Sequence, residues 1–200
     1  MPVFTHGAAN LSDDRYIFDC NNKDLNMDFI RWYSFERWRN ISYIPSDEII
    51  PKSLISKSRF KLFDIMYTPF LTVSKRLKDG IEELEPGRHY FSPVRLFFRN
   101  TPIEEEYYLL FIKNMLNAAI IEKSSIDYKE VMRPGEYKLM FDQGPLDYRS
   151  LDRNVVAGSH LWIDEMFKGY GHIYFSDELY STYTNENLTG IPIFYRADYV

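Results

Sequence analysis

The stretch Leu71-Thr72-Val73-Ser74-Lys75-Arg76-Leu77-Lys78-Asp79-Gly80-Ile81-Glu82-Glu83-Leu84-Glu85-Pro86-Gly87 decides how the chain folds. Leu77, Ile81 and Leu84 recur at i, i+4 and i+7, the spacing of one apolar helical face. Ser74 precedes them as an N-cap, where a hydroxyl accepts a bond from a backbone N–H that lacks a helical partner. Pro86-Gly87 stops the helix. Tyr90 to Phe98 (YFSPVRLFF) then changes to a strand pattern, with Pro93 at an edge or bulge because proline cannot donate to a sheet ladder. Helix followed by strand, without the alternating repeat of a parallel α/β protein, predicts an α+β fold with a mostly antiparallel sheet and a few helices.

Further along, Tyr107 to Lys113 and Ala118 to Tyr128 are β-rich runs, and Tyr137 to Asp142 follows a Pro134-Gly135 turn. Ser159 to Phe167 and His172 to Phe175 read as strands, a second helix starts near Ser176, and Ile191 to Tyr195 closes the chain as a strand after Gly190. The second helix echoes the first. Ser74-x-x-Leu77-x-x-x-Ile81 matches Ser176-x-x-Leu179-x-x-x-Tyr183, each followed by a glycine turn and a strand. This predicts two similar helix–loop–strand units in one sheet, although helix starts in general share much of that grammar.

Working back from Leu71, the first 69 residues carry weaker signals and divide off as a divergent segment packed on a main domain of residues 70–200. In Asp28 to Asn40 (DFIRWYSFERWRN), Phe29, Trp32 and Tyr33 fit one helical face, and strand alternation fits nearly as well. Ile44-Pro45-Ser46-Asp47 and Ile50-Pro51-Lys52-Ser53 are turn-rich.

Composition bounds the function. Two hundred residues, 45% hydrophobic and 26% charged, suit one folded domain, and the 17% aromatic content serves core and interface alike. Cys20 is the only cysteine, so neither an internal disulfide nor a thiolate metal cage can form, and its alternating surroundings mark it as a buried thiol. The start, MPVFTHGAANLSDDR, has neither the basic nor the apolar part of a signal peptide, and no run nears the roughly 18 apolar residues of a membrane span. A cytoplasmic location is expected. Residues 1–100 carry 15 Lys/Arg against 13 Asp/Glu, and residues 101–200 carry 9 against 16. The acidic second half favours basic partners over phosphate backbones.

No catalytic template fits. The chain lacks a nucleophile elbow, a paired-histidine zinc helix, a phosphate-binding glycine loop and a paired-cysteine motif. His6, His89, His160 and His172 are scattered, so no metal site is expected. Glu82, Glu83 and Glu85 on the helix tail, and Glu104, Glu105 and Glu106 in a loop, read as solvated faces rather than acid–base pairs. An enzyme and a cofactor are therefore not expected. Lys168-Gly169-Tyr170-Gly171-His172-Ile173-Tyr174-Phe175 resembles the first signature of RNA-recognition motifs, which stack aromatic rings on bases. His172 replaces one stacking ring, the partner strand is missing upstream and the surroundings are acidic. Single-stranded RNA binding through residues 168–175 is thus the alternative reading, and nucleic acid is not the expected partner.

Ordered blocks over residues 70–197 carry a resemblance of their own. They are Thr72-Val73-Ser74-Lys75-Arg76-Leu77-Lys78-Asp79, then Tyr90-Phe91-Ser92-Pro93-Val94, then Tyr107-Tyr108-Leu109-Leu110. Ala119-Ile120-Ile121-Glu122-Lys123-Ser124, Tyr137-Lys138-Leu139-Met140, His172 to Leu179 and Leu188-Thr189-Gly190-Ile191 follow in order. Together they resemble polymorphic-toxin immunity family eleven of bacterial toxin–immunity loci. The family often has Asp where Ala118 or Ala119 stands, and residues 1–69 match poorly. The resemblance implies a non-enzymatic protein that binds a cognate toxin effector domain and blocks its active site or substrate access. Ser74, Pro93, Glu122, Lys123, Ser124, Ser176 and Gly190 belong to the matched structural blocks. Contacts are expected instead from divergent segments, with Trp32, Arg37, Trp38 and Arg39 as anchors and Glu104, Glu105 and Glu106 as an acidic loop; core packing is the alternative role for the Trp residues.

Overall fold

The computed structural model describes residues 3–6, 18–19, 50–56, 61–67, 70–124, 128–130, 137–139, 149–165, 172–191 and 195–200. Trp32, Arg37, Trp38 and Arg39 lie outside these residues, as does the 28–40 segment that holds them. The described residues form two mixed, mainly antiparallel sheets, a separate hairpin and three helices.

The first sheet contains β2 (Phe18–Asp19), β3 (Ser53–Ser56), β4 (Ile65–Tyr67), β5 (Leu71–Ser74), β6 (Tyr90–Phe98), β7 (Thr101–Pro102) and β8 (Tyr107–Phe111). Its order is β2-β3-β6-β8-β5-β4, with β7 paired to β6. The second contains β1 (Val3–His6), β9 (Met115–Leu116), β12 (Arg149–Leu151), β13 (Leu161–Asp164), β14 (His172–Phe175) and β15 (Tyr195–Tyr199), in the order β12-β15-β1-β14-β13-β9. The hairpin joins β10 (Tyr128–Glu130) to β11 (Tyr137–Leu139). Helix α1 is Lys75–Leu84, α2 is Arg153–Val156 and α3 is Asp177–Asn185.

The two-unit echo is present, but across two sheets rather than one. Strand β5 leads into α1 from the first sheet, and β14 leads into α3 from the second. Ser74 Oγ accepts the Leu77 N–H (3.3 Å), and Ser176 Oγ accepts the Leu179 N–H (3.2 Å). The preceding hairpins match as well. The Ser74 N–H donates to Asp64 O (2.8 Å) and the Ser176 N–H to His160 O (2.9 Å). Each serine hydroxyl also meets the same partner's side chain, Asp64 Oδ1 at 2.8 Å and His160 Nδ1 at 2.9 Å. Where the helices touch, a Cβ on Gly80 would stand 3.0 Å from Thr182 Cγ2. Gly80 and Thr182 occupy equivalent places after their cap serines, so the small residue lets the two units approach.

Leu77, Ile81, Leu179 and Tyr183 face each other in a central core with Val73 of β5, Leu110 of β8, and Ile173 and Phe175 of β14. Each such aliphatic side chain contributes about 1.5–3 kcal/mol by leaving water. The outer faces are covered too. Leu54, Met66, Leu96 and Leu109 build a second cluster on the first sheet, while Leu151, Val156, Trp162 and Tyr174 build a third on the second. Coverage on both faces explains why β5 and β13 are buried at every position instead of alternating.

Three local readings differ from the structure. Ala118 to Tyr128 forms an isolated bridge at Ala119 and a short 3-10 turn (Ile121–Lys123) before β10, not a continuous run of strand. The buried Asp164 carboxylate takes the N–H groups of Ala118 (2.9 Å) and Ala119 (2.8 Å), and Ser124 Oγ donates to Ile120 O (2.7 Å). Those bonds use groups that a neighbouring strand would need. The closing strand is described over Tyr195–Tyr199, and Ile191 lies outside it, its N–H donating to the Tyr183 hydroxyl of α3 (3.0 Å). Glu85 is not solvated. It is 4% exposed and belongs to the network described next.

Candidate functional site

Among the described residues two polar centres are candidate sites, and their access to solvent separates them. The first closes the end of α1. Glu85 accepts from His89 Nε2 (2.7 Å), Asn114 Nδ2 (2.8 Å) and the Leu161 N–H (3.0 Å). His89 Nδ1 accepts the Lys113 N–H (3.3 Å), so the ring proton sits on Nε2 and points at the carboxylate. Burial opposes the charge on Glu85, but the His89 bond and the backbone N–H bonds outweigh it and hold the carboxyl below its usual range. The side chains of His89 and Glu85 are 0% and 2% exposed. Buried in this way, the pair ties the end of α1 to β13.

The second centre is open and surrounds the loop from β7 to β8. Ile103 pins its start, donating its N–H to Leu96 O (2.9 Å) and packing on the second cluster. Its end is held where the Lys75 N–H donates to Glu106 O (2.9 Å) and the Tyr108 hydroxyl donates to Glu106 Oε2 (3.1 Å). Between these fixed ends Glu104, Glu105 and Glu106 are exposed. They form a wall shared by two hollows.

One hollow, of about 640 Å3, has an apolar floor including Val94, Phe97 and Pro102, with Lys52 and Arg95 at its rim. The other, of about 460 Å3, reaches Asp64 and Ser74 and is bordered by Lys75 and Arg76. Both rim cations of the smaller hollow have partners of their own. Lys75 pairs with Asp79, and Arg76 donates to Glu186 O at the end of α3. Tyr107 lines both hollows yet is only 5% exposed. Burial, with the nearby Asp64 and Glu105 charges, pushes its phenol well above the usual tyrosine value, so it stays protonated. Tyr108 is raised in the same direction by burial and by Glu106.

The other matched residues have defined surroundings. Pro93 pairs with Tyr108 of β8, in the part of β6 before its ladder to β3 begins at Arg95, so its missing N–H leaves no gap in that ladder. Lys123 O accepts from Ser150 Oγ (2.8 Å) and Ser124 Oγ accepts the Ser150 N–H (3.1 Å), fastening the 3-10 turn to β12, while Glu122 is exposed. Gly190 has φ +112°, and a Cβ there would stand 1.9 Å from Ile65 O. Of the RNA-like segment, residues 168–171 lie outside the described residues. Tyr174 is fully buried and stacks on Trp162 (5.4 Å between centroids), so no base can reach it. Among the described residues no group of three or more His, Cys, Asp or Glu side chains is placed to hold a metal, and no helix is long and apolar enough to cross a membrane.

The sequence reading singled out the acidic triplet but not Tyr107 or Asp64. Tyr107-Tyr108 was legible only as strand entry, and Asp64 comes to the hollow through the β4–β5 hairpin. What these elements define is an α+β scaffold with an open surface lined by acidic and aromatic side chains. The chain belongs to the immunity protein family Imm11, whose model matches residues 21–196. That match, like strands β1 to β3, reaches into the segment before residue 70. No curated protein matches the chain. Family membership gives the protein a toxin-immunity role and, with it, a toxin as partner.

Proposed function

We propose that the protein binds a cognate bacterial toxin effector domain and neutralises it by covering the active site or the path of its substrate. The supporting observation is the acidic wall Glu104–Glu106, held at both ends on a rigid frame and flanked by two hollows. An inhibitor needs this combination: a preorganised surface limits the ordering cost of binding, and concentrated charge steers a basic target. It needs no catalytic group, and the buried Glu85–His89 pair supplies none that a substrate could reach. Neutralisation in the cytoplasm, before the toxin meets its target, is part of the proposal. The test is co-expression with the toxin encoded beside its gene. Protection of the cells and a stable purified complex are expected, and loss of neither toxicity nor separate elution would refute the reading.

A further inference from the structure

Tyr107 buries its ring, with 5% of the residue exposed, while its hydroxyl oxygen keeps contact with solvent and makes no hydrogen bond to the described residues. The hydroxyl belongs to the wall between the two hollows, close enough to Asp64 and Glu105 to feel both charges.

Its surroundings are unbalanced in charge. Among the described residues the smaller hollow is lined by four carboxylates, Asp64, Glu104, Glu105 and Glu106, against two cations, Lys75 and Arg76. Lys75 is committed to Asp79 on its own helix, and Arg76 donates to Glu186 O and pairs with Asp64 Oδ1 at 3.8 Å. Asp64 is already held by Ser74 Oγ (2.8 Å) and by Thr189 N–H and Oγ1 (2.9 and 3.0 Å). Glu104 and Glu105 make no ion pair among the described residues. Among the described residues, the unpaired carboxylates Glu104 and Glu105 thus stand beside the solvent-facing Tyr107 phenol in a depression of about 460 Å3.

We propose that this hollow seats a guanidinium side chain presented by the toxin, with Glu105 as its counter-charge and the Tyr107 hydroxyl oxygen as an acceptor. The inference rests on the toxin-binding role proposed above and adds the chemistry of the contact. A guanidinium fits better than an ammonium because its fixed fork of donors can serve a carboxylate and a phenol oxygen at once, whereas an ammonium is a compact and strongly hydrated charge. The rigid floor matters too. Tyr107 is fixed in β8 between β5 and β6, so little ordering is needed on binding. Buried arginine anchors of this kind commonly dominate the energy of protein interfaces.

The experiment has two arms that fail separately. In the first, the full chain is titrated with N-acetyl-arginine amide and with its neutral isostere, N-acetyl-citrulline amide, while NMR follows the tyrosine rings. Saturable shifts at Tyr107 for the arginine probe, absent for the citrulline probe and reduced by Glu105→Gln, are expected; equal responses to both probes overturn the seat. In the second, the affinity of the neighbouring-gene toxin is compared for the native chain, Tyr107→Phe and Glu105→Gln. Losing a hydrogen bond to a charged group should weaken binding about tenfold or more. Tyr107→Phe should leave the unfolding temperature nearly unchanged, because the deleted hydroxyl is open to solvent and bonds to none of the described residues. Binding unaltered by both substitutions overturns the seat while leaving toxin binding intact. No toxin binding by the native chain overturns the wider reading, and the first arm then still decides whether the seat takes a guanidinium.

Discussion

Gly190→Ala tests the packing that joins the end of α3 to the first sheet. At φ +112° a residue with a side chain is strained by about 1–3 kcal/mol. Space makes this worse, because the new Cβ would lie 1.9 Å from Ile65 O and 2.9 Å from Phe63 Cβ. Relief requires the backbone to move, at an overpacking cost of about 1–3 kcal/mol. Such movement also threatens the Ile65 N–H bond to Thr189 O (3.1 Å) and the Thr189 bonds to Asp64. The total comes to about 3–5 kcal/mol, which for a chain of this length lowers the melting temperature by roughly 10 °C. Gly87→Ala is the control, since Gly87 also has positive φ (+65°) but nothing within 4 Å. It should cost only about 1 kcal/mol. Urea unfolding followed by circular dichroism measures both. Equal losses for the two alanines, or less than about 1 kcal/mol at Gly190, would refute the close-approach argument.

Ser74→Ala and Ser176→Ala should each cost about 1–2 kcal/mol in chemical denaturation, since each removes a helix cap and a second bond to Asp64 or His160. Glu85→Gln should flatten the acid limb of the stability curve. The native carboxyl is held below its usual value, so its stabilisation is present above the unfolded value near pH ~4.3 and is lost as the pH falls through the lower folded one. At the other extreme, burial pushes the Tyr199 phenol up to about 12, with Asp177 and Glu178 adding to the shift. Stability from that site is complete below the usual tyrosine value near ~10 and declines as pH rises toward 12, which a Tyr199→Phe comparison in alkaline melts would reveal. Glu104→Lys, Glu105→Lys and Glu106→Lys together should leave the melting temperature within a few degrees, because all three are exposed, while slowing association with the toxin and reversing its salt dependence.

Local chemistry was readable in the sequence, and distant pairing was not. Ser74 and Ser176 announce their helices because cap, apolar spacing and turn all lie within a few residues. Nothing local reveals that β1, from Val3, lies between β14 and β15, or that the two helix units belong to different sheets. Ala118 to Lys123 has strand composition, but Asp164 captures its N–H groups from 46 positions away in the case of Ala118. Glu85 looks like the third carboxylate of a solvated face until His89 and Asn114 close around it. The site divides in the same way. Three consecutive glutamates stand out as an exposed loop, whereas Tyr107 carries the mark of a core strand and Asp64 arrives by hairpin geometry.

The central claim is neutralisation through direct contact, and the most direct measurement is the affinity of the purified chain for the toxin domain encoded beside its gene. Calorimetric titration should give a one-to-one complex that weakens with rising salt and abolishes the toxin's activity at equivalence. Full toxin activity in the presence of excess chain, with no heat of binding at low or high salt, would contradict it.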